Sequence, residues 1–211
     1  RQGMNSALTP WMYSKIKKGD IRSMRKVLQL LSVVVVGIAV ALMLISPELV
    51  LIFGSPKYRE AVYVIPPVAA SVFFIFIYNI LSMPQFYYEK TQFLMAASMA
   101  AAGANVVLNF IFIRLFGYIA AGYTTLACYM LYSVGHYIVS KRILVNEGIQ
   151  ENLMNPGFLL ACSVFLIGAS IICNLIFPYR ILRYAILLAS AGLVFWKKEL
   201  LLKTMADIRK K

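Results

Sequence analysis

Long apolar runs and short polar breaks alternate along the whole chain. Runs of about 20 apolar residues can cross a hydrocarbon layer about 30 Å thick, and they recur from residue 27 onward. They predict six membrane-spanning helices, over residues 27–53, 61–83, 92–113, 118–139, 158–177 and 181–196. Residues 6–13 read as the last turns of a truncated helix, and with Arg1 in first place the chain is expected to be a piece of a longer protein. Residues 14–26, SKIKKGDIRSMRK, carry six bases and one acid. Their modest apolar face of Ile16, Ile21 and Met24 suits the headgroup layer. Pro47 and Glu48 are placed at the far end of the first span. Pro66 and Pro67 are expected to kink the second, because each removes a backbone donor. Arg183, in the short sixth span, is expected to snorkel toward an interface.

The predicted organisation is a helix end and basic connection over 1–26, a four-helix part over 27–140, a polar loop over 141–155, an added hairpin over 156–198 and a basic tail over 199–211. Composition agrees with a polytopic membrane protein. The chain has 211 residues, of which 61% are hydrophobic and 14% charged, against about half and a quarter in soluble domains. The net charge of +13 could suggest a nucleic-acid partner. The bases sit at helix ends and not along one polar face, however, so positive-inside bias accounts for it and no nucleic acid is expected. If residues 14–26 are cytoplasmic, six spans put fifteen bases on that side and five on the other, with the C-terminus cytoplasmic. Cys128, Cys162 and Cys173 fall inside apolar runs. Cys162 and Cys173 lie about 16 Å apart along a helix axis, too far to bridge.

Candidate chemistry is sparse. The eight acids fall in predicted loops or at helix ends, so no carboxylate relay is expected within the spans. Asn105 and Asn109 share a helix face at i, i+4, with Asn79 in the preceding span and Thr124 and Thr125 in the following one. They can form the wall of a sugar-binding cavity or simply bond helix to helix. Arg114 can fork onto a phosphate or anchor a helix end among headgroups. Tyr87, Tyr88, Glu89 and Lys90 form a loop that can serve as a gate or as an ordinary turn in an aromatic belt. His136, the sole histidine, can carry a proton or be a packed imidazole. The small-residue block 96–104 and Gly122 predict close helix contacts. No phosphate loop, zinc pair or nucleophile elbow is present, the only two Asp residues lie in basic end segments, and no cofactor or metal is expected.

The stretch from PELVLIFGSPKYREAVYVIPP through YYEKTQ to the helix ending in N-x-x-x-N and then FGYIAAGYTTL resembles the C-terminal half of Wzx-type polysaccharide flippases. These belong to the multidrug/oligosaccharidyl-lipid/polysaccharide exporter superfamily. The resemblance covers roughly residues 7–141. It implies an all-α membrane protein, the second lobe of a two-lobe flippase fold in the bacterial plasma membrane. The implied substrate is an undecaprenyl-diphosphate-linked oligosaccharide, with surface-polysaccharide polymerase machinery as a further partner. Asn79, Asn105, Asn109 and Arg114 would then line the substrate path, and residues 87–90 would gate it. Within the same superfamily a peptidoglycan-precursor flippase or a multidrug/cation antiporter stays open. In another class, a membrane acyltransferase using His136 or an assembly partner of an export complex stays open as well.

Overall fold

The computed structural model describes residues 2–54 and 56–196. Seven α-helices follow one another: α1 (Gln2–Lys17), α2 (Ile21–Phe53), α3 (Ile65–Tyr87), α4 (Gln92–Phe116), α5 (Ala120–Asn146), α6 (Pro156–Ile176) and α7 (Arg180–Trp196). A 3-10 segment, Pro56–Val64, leads into α3. The described residues form an all-helical protein with several helices of membrane-spanning character. Among them four stretches are long and apolar enough to cross a bilayer: α2, the 3-10 segment with α3 (Arg59–Tyr87), α4 and α6.

Local chemistry explains where the helices start and stop, and it corrects several expected boundaries. Residues 14–26 are not a separate surface segment. They are split by a turn in which Gly19 takes φ +65° and Asp20 caps α2 by accepting from the Ser23 amide at 3.2 Å. Ile16, Ile21 and Met24 face the core, at most 2% exposed, and not a headgroup layer. Helix α2 runs through Pro47 to Phe53, so Glu48 lies more than a turn inside it. Pro66 and Pro67 open α3 and do not kink it; a proline in the first turn needs no backbone donor and already has helical φ. Gly117, at φ +78°, ends α4. Helix α5 outlasts its predicted end and takes Lys141 and Arg142 with it, which shortens the polar loop to residues 147–155. Asn155 then caps α6, with Pro156 at its first position.

Helix α3 is the centre of the packing. It lies chiefly against α5 and α2, and also against α6 and α1. Phe73, Ile77, Ile80 and Leu81 on α3 meet Met24, Leu28 and Met43 of α2 in the core, all at most 2% exposed. At the entry to α3 the approach to α5 is close. A Cβ added at Gly122 would come within 2.8 Å of the Pro67 side chain, so the expected tight contact is real there. The 96–104 block behaves otherwise. Helix α4 packs mainly on α5 and buries no residue, and nothing lies within 4 Å of a Cβ placed on Gly103. Within this chain those small residues largely face outward.

The expected snorkelling of Arg183 is also overturned. Its side chain is buried and forks onto Glu48, with Nη1 and Nη2 donating to the two carboxylate oxygens at 2.8 Å each. Nη1 also donates to the Leu44 carbonyl at 2.8 Å, and the Tyr184 hydroxyl donates to Glu48 at 2.9 Å. A carboxylate therefore does lie within a helix, held by the guanidinium that α7 brings to α2. Once inside the bundle, each charge is far cheaper beside the other than alone. The loop 147–155 is strapped down at the opposite end. Arg25 donates to the Asn152 carbonyl at 2.7 Å and pairs with Glu151 at 3.1 Å, while Leu153 and Met154 are buried. The basic tail at 199–211, with four of the bases assigned to the cytoplasmic side, lies outside the described residues, as do Lys197 and Lys198.

Removing one member of the Glu48–Arg183 pair leaves the other charge stranded. Arg183→Leu is expected to destabilise the detergent-solubilised protein by about 3 kcal/mol. The double variant Glu48→Gln/Arg183→Leu should recover most of that loss, with thermal unfolding as the measurement.

Candidate functional site

Between α3, α4 and α5 lies a cleft of about 310 Å³, at the lower end of the size range of ligand sites. Tyr78 enters from α3. Ser98, Ala101, Ala102 and Asn105 come from α4, and Thr125, Cys128, Tyr129 and Tyr132 from α5. Helical periodicity assembles it: residues 98, 101, 102 and 105 share one face of α4, and 125, 128, 129 and 132 share one face of α5. The alanines make the room, since longer side chains at 101 and 102 would fill the space between the tyrosines. The lining carries no charge.

The aromatic wall is ordered. Tyr78 stacks on Tyr129 with ring centres 6.3 Å apart and planes 6° apart, and it meets Tyr132 at 4.7 Å. The Tyr132 hydroxyl shares a 2.7 Å hydrogen bond with the Ser98 hydroxyl. This places phenol hydroxyls, a serine, a threonine and an amide on one surface beside aromatic faces, so the cleft can both hydrogen-bond and stack.

The sequence-predicted residues divide. Asn105 lines the cleft. Asn109 donates from its amide nitrogen to Asn105 Oδ1 at 3.0 Å and accepts from the Thr124 hydroxyl. The three side chains thus form a chain that joins α4 to α5 and leaves the Asn105 amide at the cleft. Asn79 stays apart. It donates to the Ile75 carbonyl of its own helix at 2.6 Å and does not join the amide chain. Arg114 is exposed in the last turn of α4, its guanidinium 3.9 Å from the centre of the Phe110 ring. It does not line the cleft.

Residues 87–90 are tied down from two sides. Tyr87 packs edge-on against Tyr13 of α1 at 5.3 Å and against Tyr88 at 4.8 Å. Lys90 pairs with Glu147 at 2.9 Å, and Glu89 takes φ +57° to make the turn. Burial and the nearby Glu147 carboxylate push the Tyr88 phenol up, so it stays neutral. This loop connects the ends of α1, α3 and α5.

His136 sits in the same aromatic layer, fully buried, with Tyr132 edge-on at 4.5 Å, Phe93 at 5.4 Å and Tyr78 at 5.9 Å. Gln85, also fully buried, lies 2.8 Å from its Nδ1. Sequence reasoning missed Tyr78, Tyr129, Tyr132, Ser98 and Gln85. A signal was present: positions 129, 132 and 136 recur at i, i+3, i+7 on α5, and 78 and 85 recur at i, i+7 on α3. In a chain with thirteen tyrosines that spacing did not stand out.

Along α4 and α5 lies a second, larger groove of about 460 Å³, lined by Leu108, Phe112, Phe116, Ile119, Ala120, Tyr123, Thr124 and Ala127. Except for Tyr123 and Thr124 its lining is apolar. In comparisons with family models, curated proteins and solved structures, the chain matches none.

The Asn109–Thr124 bond is expected to couple the two helices by about 0.6 to 1.7 kcal/mol. A double-mutant cycle of Asn109→Leu and Thr124→Val, read by unfolding in detergent, measures it. Zero coupling would show that the bond carries no stability.

Proposed function

We propose that this chain is part of a lipid-linked oligosaccharide flippase. Such a flippase moves undecaprenyl-diphosphate-linked repeat units across the bacterial plasma membrane for surface-polysaccharide synthesis. The observation that carries the reading is the uncharged cleft lined by tyrosines, hydroxyls and an amide, set among helices of membrane-spanning length. Sugars need hydroxyl partners and flat apolar faces at once, and they need them in a place shielded from lipid. The apolar groove farther along α4 and α5 suits an isoprenoid chain. One pair of helices would then offer both surfaces an amphiphile requires.

In this reading α2 to α7 are the six spans, with the C-terminus cytoplasmic and the chain forming the second lobe of a two-lobe transporter that rocks around its substrate. Helix α5 is less apolar than a lipid-facing span because Thr124, Ser133, His136 and Ser140 are turned into the bundle, all at most 6% exposed. Helix α7 has 17 residues, about 26 Å of rise, at the short limit for a span. Residues 87–90 would close the cytoplasmic mouth through their hold on Tyr13 and Glu147. Asn105, through Asn109, is the amide this lobe contributes to the path, and a polymerase complex is the partner that would take up the product.

Aromatic faces also attract organic cations, which keeps a multidrug/cation antiporter as a second reading. An acyltransferase fits less well, since His136 is enclosed by three rings and its Nδ1 is engaged by Gln85.

Tyr132→Ala and Asn105→Leu in the full-length protein are each expected to slow translocation of a lipid-linked oligosaccharide about tenfold, the equivalent of a lost contact of about 1.4 kcal/mol. Arg114→Ala should leave it near the parent rate. Complementation of a strain lacking its flippase, scored by surface polysaccharide and by accumulation of lipid-linked units, makes the measurement. Unchanged translocation with altered ethidium efflux would favour the antiporter.

A further inference from the structure

His136 and Gln85 share a single proton-sensitive arrangement, and its details follow from which atoms can donate. The Gln85 amide nitrogen lies 3.3 Å from the Leu81 carbonyl and 2.8 Å from His136 Nδ1. A carbonyl can only accept, so the amide must present its nitrogen to Leu81. The same nitrogen then donates to Nδ1, which is therefore bare. The imidazole proton must sit on Nε2. That atom has no hydrogen-bond partner, and neither has Gln85 Oε1. The ring instead packs at steep angles against Tyr132 and Phe93.

We propose that His136 is a proton-binding site whose occupancy resets the tyrosine cleft. A proton arriving from water adds to Nδ1; Nε2 keeps its own, and the ring gains one positive charge. Two donors then face each other across 2.8 Å. The amide must turn over, so that Oε1 accepts from Nδ1–H while Leu81 loses its donor. Oε1 is the unpartnered acceptor that the charged ring needs. The groups facing the ring are Gln85 and Tyr78 from α3, Phe93 from α4 and Tyr132 from its own helix. None is a carboxylate or a base. Ser140, one turn further along α5 on the same face, is buried with its hydroxyl unpartnered. A charge placed here meets Tyr78 and Tyr132, the rings that wall the cleft, and burial makes it costly unless they and Gln85 rearrange. Shifting those rings alters the Ser98–Tyr132 bond and the space around Cys128. The proton site stands on side-chain geometry alone. Its use in sugar transport rests on the flippase reading.

The experiment exploits the fact that His136 is the only histidine. In full-chain protein carrying a histidine-free tag and ¹⁵N-histidine, nitrogen NMR at pH 8 should show a bare Nδ1 and a protonated Nε2. Acidification should protonate Nδ1 in one transition, and Gln85→Glu should hold both nitrogens protonated at pH 8. In a Cys162→Ala/Cys173→Ala background, maleimide labelling of Cys128 is then compared with that of His136→Gln at each pH. The ratio of the two rates should change several-fold as the transition seen in the nitrogen spectrum is crossed. A proton on Nδ1 at pH 8, or no transition while the protein stays folded, overturns the proton site. A rate ratio constant across pH overturns the coupling to the cleft. Neither readout uses a sugar, so loss of the flippase reading would leave both results interpretable.

Discussion

A polar side chain buried between helices has to find its partners inside the protein, and the arrangement of α3, α4 and α5 follows from that requirement. Helix α5 carries Thr124, Ser133, His136 and Ser140 on buried positions. Thr124 is satisfied across the interface by Asn109 and Ser133 by the Tyr129 carbonyl of its own helix at 2.6 Å, while His136 meets Gln85 through Nδ1 only. Packing α5 between α3 and α4 lets it be polar where its neighbours are apolar. The tyrosine cleft is the residual space of that packing, kept open by alanines at 101 and 102.

The charged residues obey the same rule at higher stakes. Arg183 and Glu48 are far apart in the chain and meet between α7 and α2 with forked geometry. Neither could be left in hydrocarbon alone. The pair fixes the final helix to the first long one. At the opposite end, Arg25–Glu151 and Lys90–Glu147 do lighter work near water, where such pairs contribute little individually. Together they hold the 147–155 loop across the ends of α2, α3 and α5.

These ties distribute rigidity unevenly. Helices α2, α3 and α5 form a packed centre with fully buried Phe73, Ile80 and Leu81, whereas α4 rests on α5 and shows Met95, Met99 and Val106 on its outer side, each at least 69% exposed. The cleft therefore has two firm walls and one lightly held wall. The Asn109–Thr124 and Ser98–Tyr132 bonds join that wall to α5.

Sequence by itself determined the all-helical class, the approximate place of each helix and the shared face of Asn105 and Asn109, because apolar run length and the 3.6-residue period are local properties. It did not reveal that Pro66 and Pro67 start a helix, since a proline pair has the same composition at a first turn and in a kink. Only the tertiary structure decided that Arg183 meets Glu48, that Gln85 meets His136 and that Tyr78 faces Tyr129 and Tyr132. Each of these contacts joins two helices. Which face of one helix meets which face of another depends on how all the helices pack together, and a single run of residues does not contain that information.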